Sequence, residues 1–242
     1  SRIFRHSCIY LHSAAGIQKP QDLKGKRIGV GSYQRTGVVW VRGLLNHEYQ
    51  ISADEIHWVV EAPLRAGIKL PGQIPIEQIG PGKSLEKMLE AGEIDALISV
   101  RIPRPFHNKS LHVKRLFPNY RELETEYYRR TGVFPIMHTL VLKKDLFQNE
   151  PWIAISLYKA FVQAKELNYR RLYDTDALMA SLPWLIDEIE TSRAIFGEDI
   201  WDYSIEGSRP AIETFVQYLD EQGLTRRRMR VEELFAPSIR AD

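Results

Sequence analysis

The residues of this chain best suited to chemistry are two histidines, a few arginines and one strand-to-helix junction. His6 stands just before the apolar run Cys8-Ile9-Tyr10-Leu11, and His138 lies within the apolar segment 134–142. An imidazole titrates near neutral pH, so either side chain can give or take a proton, whereas a lone His in an apolar strand otherwise serves as a satisfied core residue. Among the remaining histidines no two share metal spacing on one helix face, and His47-Glu48 lacks the second His of a zinc-protease helix. His107 and His112 flank a polar loop, and His57 reads as strand packing, so no metal site is expected.

The junction Gly31-Ser32-Tyr33-Gln34-Arg35-Thr36 follows an apolar strand and opens a helical pattern. A helix start offers unpaired N–H groups and a partial positive charge, which suits a carboxylate, with Ser32, Gln34 and Thr36 as candidate contacts. The plainer role for Ser32 is helix capping. Gly29-Val30-Gly31 also begins a dinucleotide fingerprint, but Gln34 stands where that motif needs glycine. Arg101 directly follows the strand 94–100, and strand ends are where parallel sheets place ligands. Its fork can pair with a carboxylate through two charge-assisted bonds; the alternative is a side chain that lies along the surface. Arg5 is a candidate by position beside the first strand, and Arg42, two turns into the helix, is the more distant one.

These residues need a scaffold, and the chain alternates strand and helix signals. Residues 27–30, 56–60, 74–79 and 94–100 read as strands, with helices over 33–46 and from Ser84 to Gly92. Short links between them imply a mostly parallel sheet flanked by helices, an α/β fold. Residues 134–142 are again extended, and the remainder is helical. One helix has Pro151 in its first turn, and another runs from a Ser208 cap to Gly223.

The chain of 242 residues is 44% hydrophobic, with 33 Lys and Arg against 31 Asp and Glu. A net charge of +2 provides no footprint for nucleic acid or an anionic membrane. No apolar run approaches a membrane span. The single Cys8 forms no internal disulfide, so folding needs no oxidising compartment, and the sequon Asn108-Lys109-Ser110 is accidental.

Asp22-Leu23-Lys24-Gly25-Lys26-Arg27-Ile28-Gly29-Val30 resembles the entry to the second lobe of type II solute-binding proteins. A closer resemblance, to the 4,5-dihydroxyphthalate decarboxylase family on that fold, rests on motifs spread over the chain. They include Phe4-Arg5-His6-Ser7, Trp40-Val41-Arg42-Gly43, Arg115-Leu116-Phe117-Pro118, the run from Arg130 to His138, and Glu232-Glu233-Leu234-Phe235-Ala236-Pro237. The family carries a further opening segment before Phe4, so lobe one is expected to be incomplete here.

The resemblance implies a two-lobed, type II periplasmic-binding-protein-like fold. Residues 1–13 and 134–242 would form lobe one with the C-terminal helices, and residues 14–133 lobe two. Residues 8–13 and 134–140 would be the crossings between lobes, bringing His6 and His138 to the floor of a cleft as the proton-transfer pair. The implied reaction is non-oxidative decarboxylation of a hydroxylated aromatic dicarboxylate, giving protocatechuate and CO2, with no cofactor, in the cytoplasm. Arg5, Arg101 and the Ser32–Thr36 helix start would anchor carboxylates, and Phe106, Phe134 or Trp40 would line a slot for the ring. Neither nucleic acid nor membrane is an expected partner, and the oligomeric state stays open, a homo-oligomer included. The rival reading is a solute-binding protein that delivers an aromatic or sulfonate-like anion to an ABC-type transporter.

Overall fold

Runs of β-branched and aromatic residues, broken at glycine or polar turns, become the strands of one sheet. In chain order these are β1 (Ile9–His12), β2 (Arg27–Ser32), β3 (His57–Ala62), β4 (Ile76–Gln78), β5 (Ala96–Ile98) and β6 (Val113–Arg115). The computed structural model, which describes residues 1–237, arranges them in the order β4-β3-β2-β5-β1-β6. β2 pairs in parallel with β3 and β5, and β3 with β4, whereas β1 runs against both of its neighbours, β5 and β6. Nine helices accompany them among the described residues: α1 (Thr36–Tyr49), α2 (Leu85–Ala91), α3 (Arg104–His107), α4 (Tyr120–Thr131), α5 (Lys144–Asn149), α6 (Trp152–Leu172), α7 (Leu185–Phe196), α8 (Ile205–Glu221) and α9 (Val231–Leu234). The protein is thus a mixed α/β chain with a mostly parallel sheet.

Two compact units are present. A sheet unit comprises Ile3–Tyr128 with Thr214–Arg228, and a helical unit comprises Ser1–Arg2, Arg129–Glu213 and the chain from Met229. Within the sheet unit β1 is hydrogen-bonded between β5 and β6, and Phe215 and Tyr218 pack on Trp40 of α1.

In the sheet unit, alternation sends successive side chains to opposite faces. Ile9, Leu11, Ile28, Val30, Trp58, Val60, Ala96 and Ile98 meet Val38, Val41 and Leu45 of α1 on one face. Tyr10, Val59, Leu97 and Val113 meet Leu85, Met88 and Leu89 of α2 on the other. Every residue of α1 from Gly37 to Leu45 is buried, so this helix lies inside the core rather than over it.

Several sequence expectations need correction. α1 begins at Thr36, not Tyr33, because residues 33 and 34 form a turn and Arg35 is the extended N-cap. Ser208 is not a cap. α8 starts at Ile205, Ser204 Oγ accepts the Gly207 N–H at 3.0 Å, and Ser208 is buried within the helix, where it accepts from Arg2 Nη2 at 2.7 Å. The extended segment 134–142 forms no ladder beyond an isolated bridge between Arg2 and Ile136, since no described strand lies beside it to pair with. β6 and α4 were not anticipated. Among the described residues, no helix is long and apolar enough to cross a membrane.

Candidate functional site

The strand order creates a switch point inside the sheet unit. From β2 the chain moves outward through β3 to β4, then returns to the far side of β2 as β5. The loops leaving the C-terminal ends of β2 and β5 therefore diverge, and such a divergence opens a crevice where parallel α/β sheets bind ligands. Val30 is level with Ile98, so the turn after Ser32 and the residues Ser99–Arg101 border the same opening. β1 is antiparallel, so its leading residues arrive at this edge too. They form a 3-10 turn at His6–Cys8, and the Ser99 N–H donates to Cys8 O at 2.9 Å.

One glycine shows how closely these pieces meet. A methyl group on Gly37, the second residue of α1, would lie 2.7 Å from Val100 Cγ1, 3.3 Å from Arg5 Nε and 3.4 Å from Arg5 Cζ. The Arg5 guanidinium thus rests against the first turn of α1. Arg5 is only 9% exposed, and its Nη1 lies 3.5 Å from Cys8 Sγ. The helix start adds a partial positive charge beside this cation, a setting that suits a carboxylate. Ser32, Gln34 and Thr36 are half-buried around the same turn, and Gln34 Oε1 is buried without a hydrogen-bond partner among the described residues. Arg101 is exposed, with no hydrogen bond or ion pair to a described side chain; Ser99 Oγ donates to its carbonyl at 2.7 Å and shapes the turn that carries it. This edge therefore carries Arg5, Ser32, Thr36 and Arg101 as donors of the kind a carboxylate accepts from, with Gln34 beside them.

Other expected site residues lie elsewhere. Arg42 is 3% exposed and committed to the fold: Nη1 donates to Tyr33 O at 2.6 Å, while Nε and Nη2 donate to Gln222 Oε1 at 3.0 and 2.6 Å. Burial lowers its pKa to about 10. Trp40 is stacked on Phe215 at 5.2 Å in the core and lines no slot. Phe106 packs edge-on against Tyr10 at 5.1 Å, with the Arg115 guanidinium 4.7 Å from its ring centre. Phe134 belongs to the core of the helical unit, stacked on Phe196 at 5.0 Å.

The two histidines fall in different units and different surroundings. His6 is 3% exposed, between the rings of Phe117 and Tyr127 at 5.6 and 5.8 Å. Its backbone N–H donates to Glu124 Oε1 at 3.1 Å, and its Nδ1 is 3.6 Å from the same oxygen. His138 is exposed in the helical unit, on the rim of an apolar groove of about 900 Å³ walled by Leu140, Val141, Leu157 and Phe161. Its Nδ1 is 2.6 Å from Ser1 Oγ. No group of three or more His, Cys, Asp or Glu able to hold a metal ion occurs among the described residues.

No family model matches the chain. It is 38% identical over 244 residues to the 4,5-dihydroxyphthalate decarboxylase of Comamonas testosteroni, a match covering 98% of this chain and 74% of that protein. The chain belongs to the 4,5-dihydroxyphthalate decarboxylase family. The Pseudomonas putida 4,5-dihydroxyphthalate decarboxylase is 36% identical over 135 residues, spanning 53% of this chain and 52% of its own length. The family resemblance seen in the motifs from Phe4 to Pro237 is therefore correct.

For a member of this family, the sequence reading overlooked three charged residues near the crevice edge. Glu124 lies on α4, an element unpredicted because its polar surface hides a short apolar stripe, and it anchors the start of β1. Arg35 and Glu61 flank Gly31, and no sequence spacing relates a turn residue to one on the next strand. Parallel pairing does so, because Val30 opposite Val60 and Ser32 opposite Ala62 set Gly31 beside Glu61.

Proposed function

We propose that this chain carries out the non-oxidative decarboxylation of a hydroxylated aromatic dicarboxylate, 4,5-dihydroxyphthalate, to protocatechuate and CO2. Family membership supplies the substrate class. The observation that carries the reading to this chain is the meeting of Arg5, Val100 and the α1 start at the switch point.

The ring itself takes up the electrons. A base removes the proton of the hydroxyl para to one carboxylate, and an acid delivers a proton to the ring carbon bearing that carboxylate. The bond from that carbon to the carboxylate then breaks, its electron pair restores aromaticity, and the phenolate recovers its proton. One proton replaces one CO2, and no oxidant or reductant is needed. The protein must supply an anchor for a carboxylate, a proton relay and exclusion of water. Arg5, Arg101, Ser32, Gln34 and Thr36 are the proposed anchors, and His6 and His138 are each proposed as a proton carrier, to be tested one by one.

The finer architecture proposed is the two-lobed type II periplasmic-binding-protein-like fold, with the sheet unit as lobe two. A strand that runs against both neighbours, inserted beside a parallel succession, supports it: β1 enters the sheet from outside that succession. A cytoplasmic location is in keeping with one buried, unpaired Cys8.

The test is CO2 release from 4,5-dihydroxyphthalate by the purified protein, with His6→Gln and His138→Gln beside it. Loss of a general acid or base should lower turnover by roughly 100- to 10,000-fold. Tight binding of the substrate with no CO2 released would favour the solute carrier instead.

A further inference from the structure

We propose that Arg35 reads a second carboxylate of the ligand held at the switch point and thereby selects dicarboxylates over monocarboxylates; this rests on the crevice being the substrate site. Arg35 is exposed, yet its guanidinium does not extend away into solvent. It folds back over the end of β2, with Nη1 3.3 Å and Cζ 3.7 Å from the position that a methyl group on Gly31 would take. Glu61 Oε2, on the neighbouring strand β3, lies 3.4 Å from that same position. The two opposite charges are brought to one glycine, but neither Arg35 nor Glu61 forms an ion pair among the described residues.

The arrangement leaves the donors of Arg35 open at the place where they are useful. Gly31 carries no side chain, so the guanidinium lies over the end of β2 on the face that carries α2, opposite to the side to which Ser32 points. Arg5 approaches the same turn from the β1 side and rests on Gly37. A ligand carboxylate on Arg5 and the α1 start leaves Arg35, on the other side of the turn, for a second one. A planar fork suits that task, because it can take both oxygens of a carboxylate at once. Glu61 opposes it: an ionised carboxylate at this point repels a dianion and holds the guanidinium near without capping it.

The two side chains should therefore act with opposite signs, which a purely structural role for Arg35 would not produce. The measurement is binding of phthalate and of benzoate to the native protein and to Arg35→Gln, Arg35→Lys and Glu61→Gln, by calorimetry or by competitive inhibition. Arg35→Gln should weaken phthalate roughly 10- to 100-fold, the worth of a hydrogen bond to a charged group, and benzoate less than about twofold. Arg35→Lys should recover part of the phthalate affinity, and Glu61→Gln should strengthen phthalate by about two- to fivefold, as expected for an exposed charge. Equal weakening of both ligands by Arg35→Gln, or none, overturns the assignment. Selective weakening of phthalate in a protein that releases no CO2 from 4,5-dihydroxyphthalate would uphold Arg35 and sink the decarboxylase reading.

Discussion

Gly37→Ala probes the crevice with a single methyl group. Two effects on stability oppose each other. Alanine is favoured over glycine within a helix by up to about 1 kcal/mol. Against it, the new methyl would lie 2.7 Å from Val100 Cγ1, so Val100 must shift, and overpacking of this kind costs about 1–3 kcal/mol. The net loss should be about 0–2 kcal/mol, with Tm falling about 2–4 °C for each kcal/mol in a chain of this size. An effect on binding is also expected. At 3.3 Å from Arg5 Nε, the methyl makes the guanidinium give by a few tenths of an ångström and weakens its proposed charge-assisted contact with the ligand. Losing the whole of such a bond costs about 1.5–3 kcal/mol, roughly a 10- to 140-fold rise in KM. Partial loss should raise KM by about 2- to 10-fold. Initial rates of CO2 release at varied 4,5-dihydroxyphthalate, run beside thermal unfolding, separate the two effects. In an Arg5→Gln background the same substitution should raise KM little further, since the contact is already lost. An unchanged KM in a folded Gly37→Ala protein, or full additivity with Arg5→Gln, would refute the placement of Arg5 in the site.

Three other substitutions bear on the same unit. Arg42→Met leaves Tyr33 O and Gln222 Oε1 short of donors in the core and should cost about 2–4 kcal/mol in urea unfolding, with KM within twofold of native; a changed KM with native stability would return Arg42 to the substrate site. Gly43→Ala drives a methyl into the buried Tyr218 ring, so the helix preference for alanine is overridden and thermal unfolding should show a loss of about 1–3 kcal/mol; an equal or higher Tm would contradict it. Arg101→Ala should weaken phthalate binding by about 1.5–3 kcal/mol by calorimetry. Unchanged affinity would make Arg101 an ordinary surface residue.

Elements whose apolar pattern follows one simple period were legible from the residues alone. β2 and β5 are uninterrupted runs, α2 has its stripe and its Gly92 stop, and these positions are buried as the pattern implies. α4 was missed because its buried Tyr127 stands among charged neighbours, and β6 because three residues show no periodicity. Long-range relations were the harder part. That Arg5 meets Gly37, that Glu61 meets Gly31, and that Gln222 binds Arg42 follow from strand order and helix packing, which no local spacing encodes. The arginines were likewise ambiguous in sequence. A guanidinium in a helical pattern can face ligand or core, and only the partners of Arg42 decide that it faces the core.

The arginines at the switch point cannot all treat the substrate alike, and kinetics can sort them. The departing carboxylate surrenders its charge into the ring as the bond breaks, while the retained one keeps it throughout. A cation paired with the retained carboxylate binds substrate and transition state equally, so its loss raises KM and leaves kcat unchanged. A cation paired with the departing carboxylate stabilises the substrate more than the transition state. Its loss should raise KM and kcat together and leave kcat/KM nearly constant. Arg5 rests against a helix start that adds its own partial charge, the stronger of the two anchors, and a strong anchor on the departing group would hold the reaction back. The prediction is therefore that Arg5 serves the retained carboxylate, and Arg35, opposed by Glu61, the departing one. Steady-state constants for Arg5→Gln and Arg35→Gln test this directly: Arg5→Gln should raise KM alone, and Arg35→Gln should raise KM with kcat. The opposite pattern would exchange the two carboxylates, and a fall in kcat for Arg35→Gln would show that its charge is needed in the transition state.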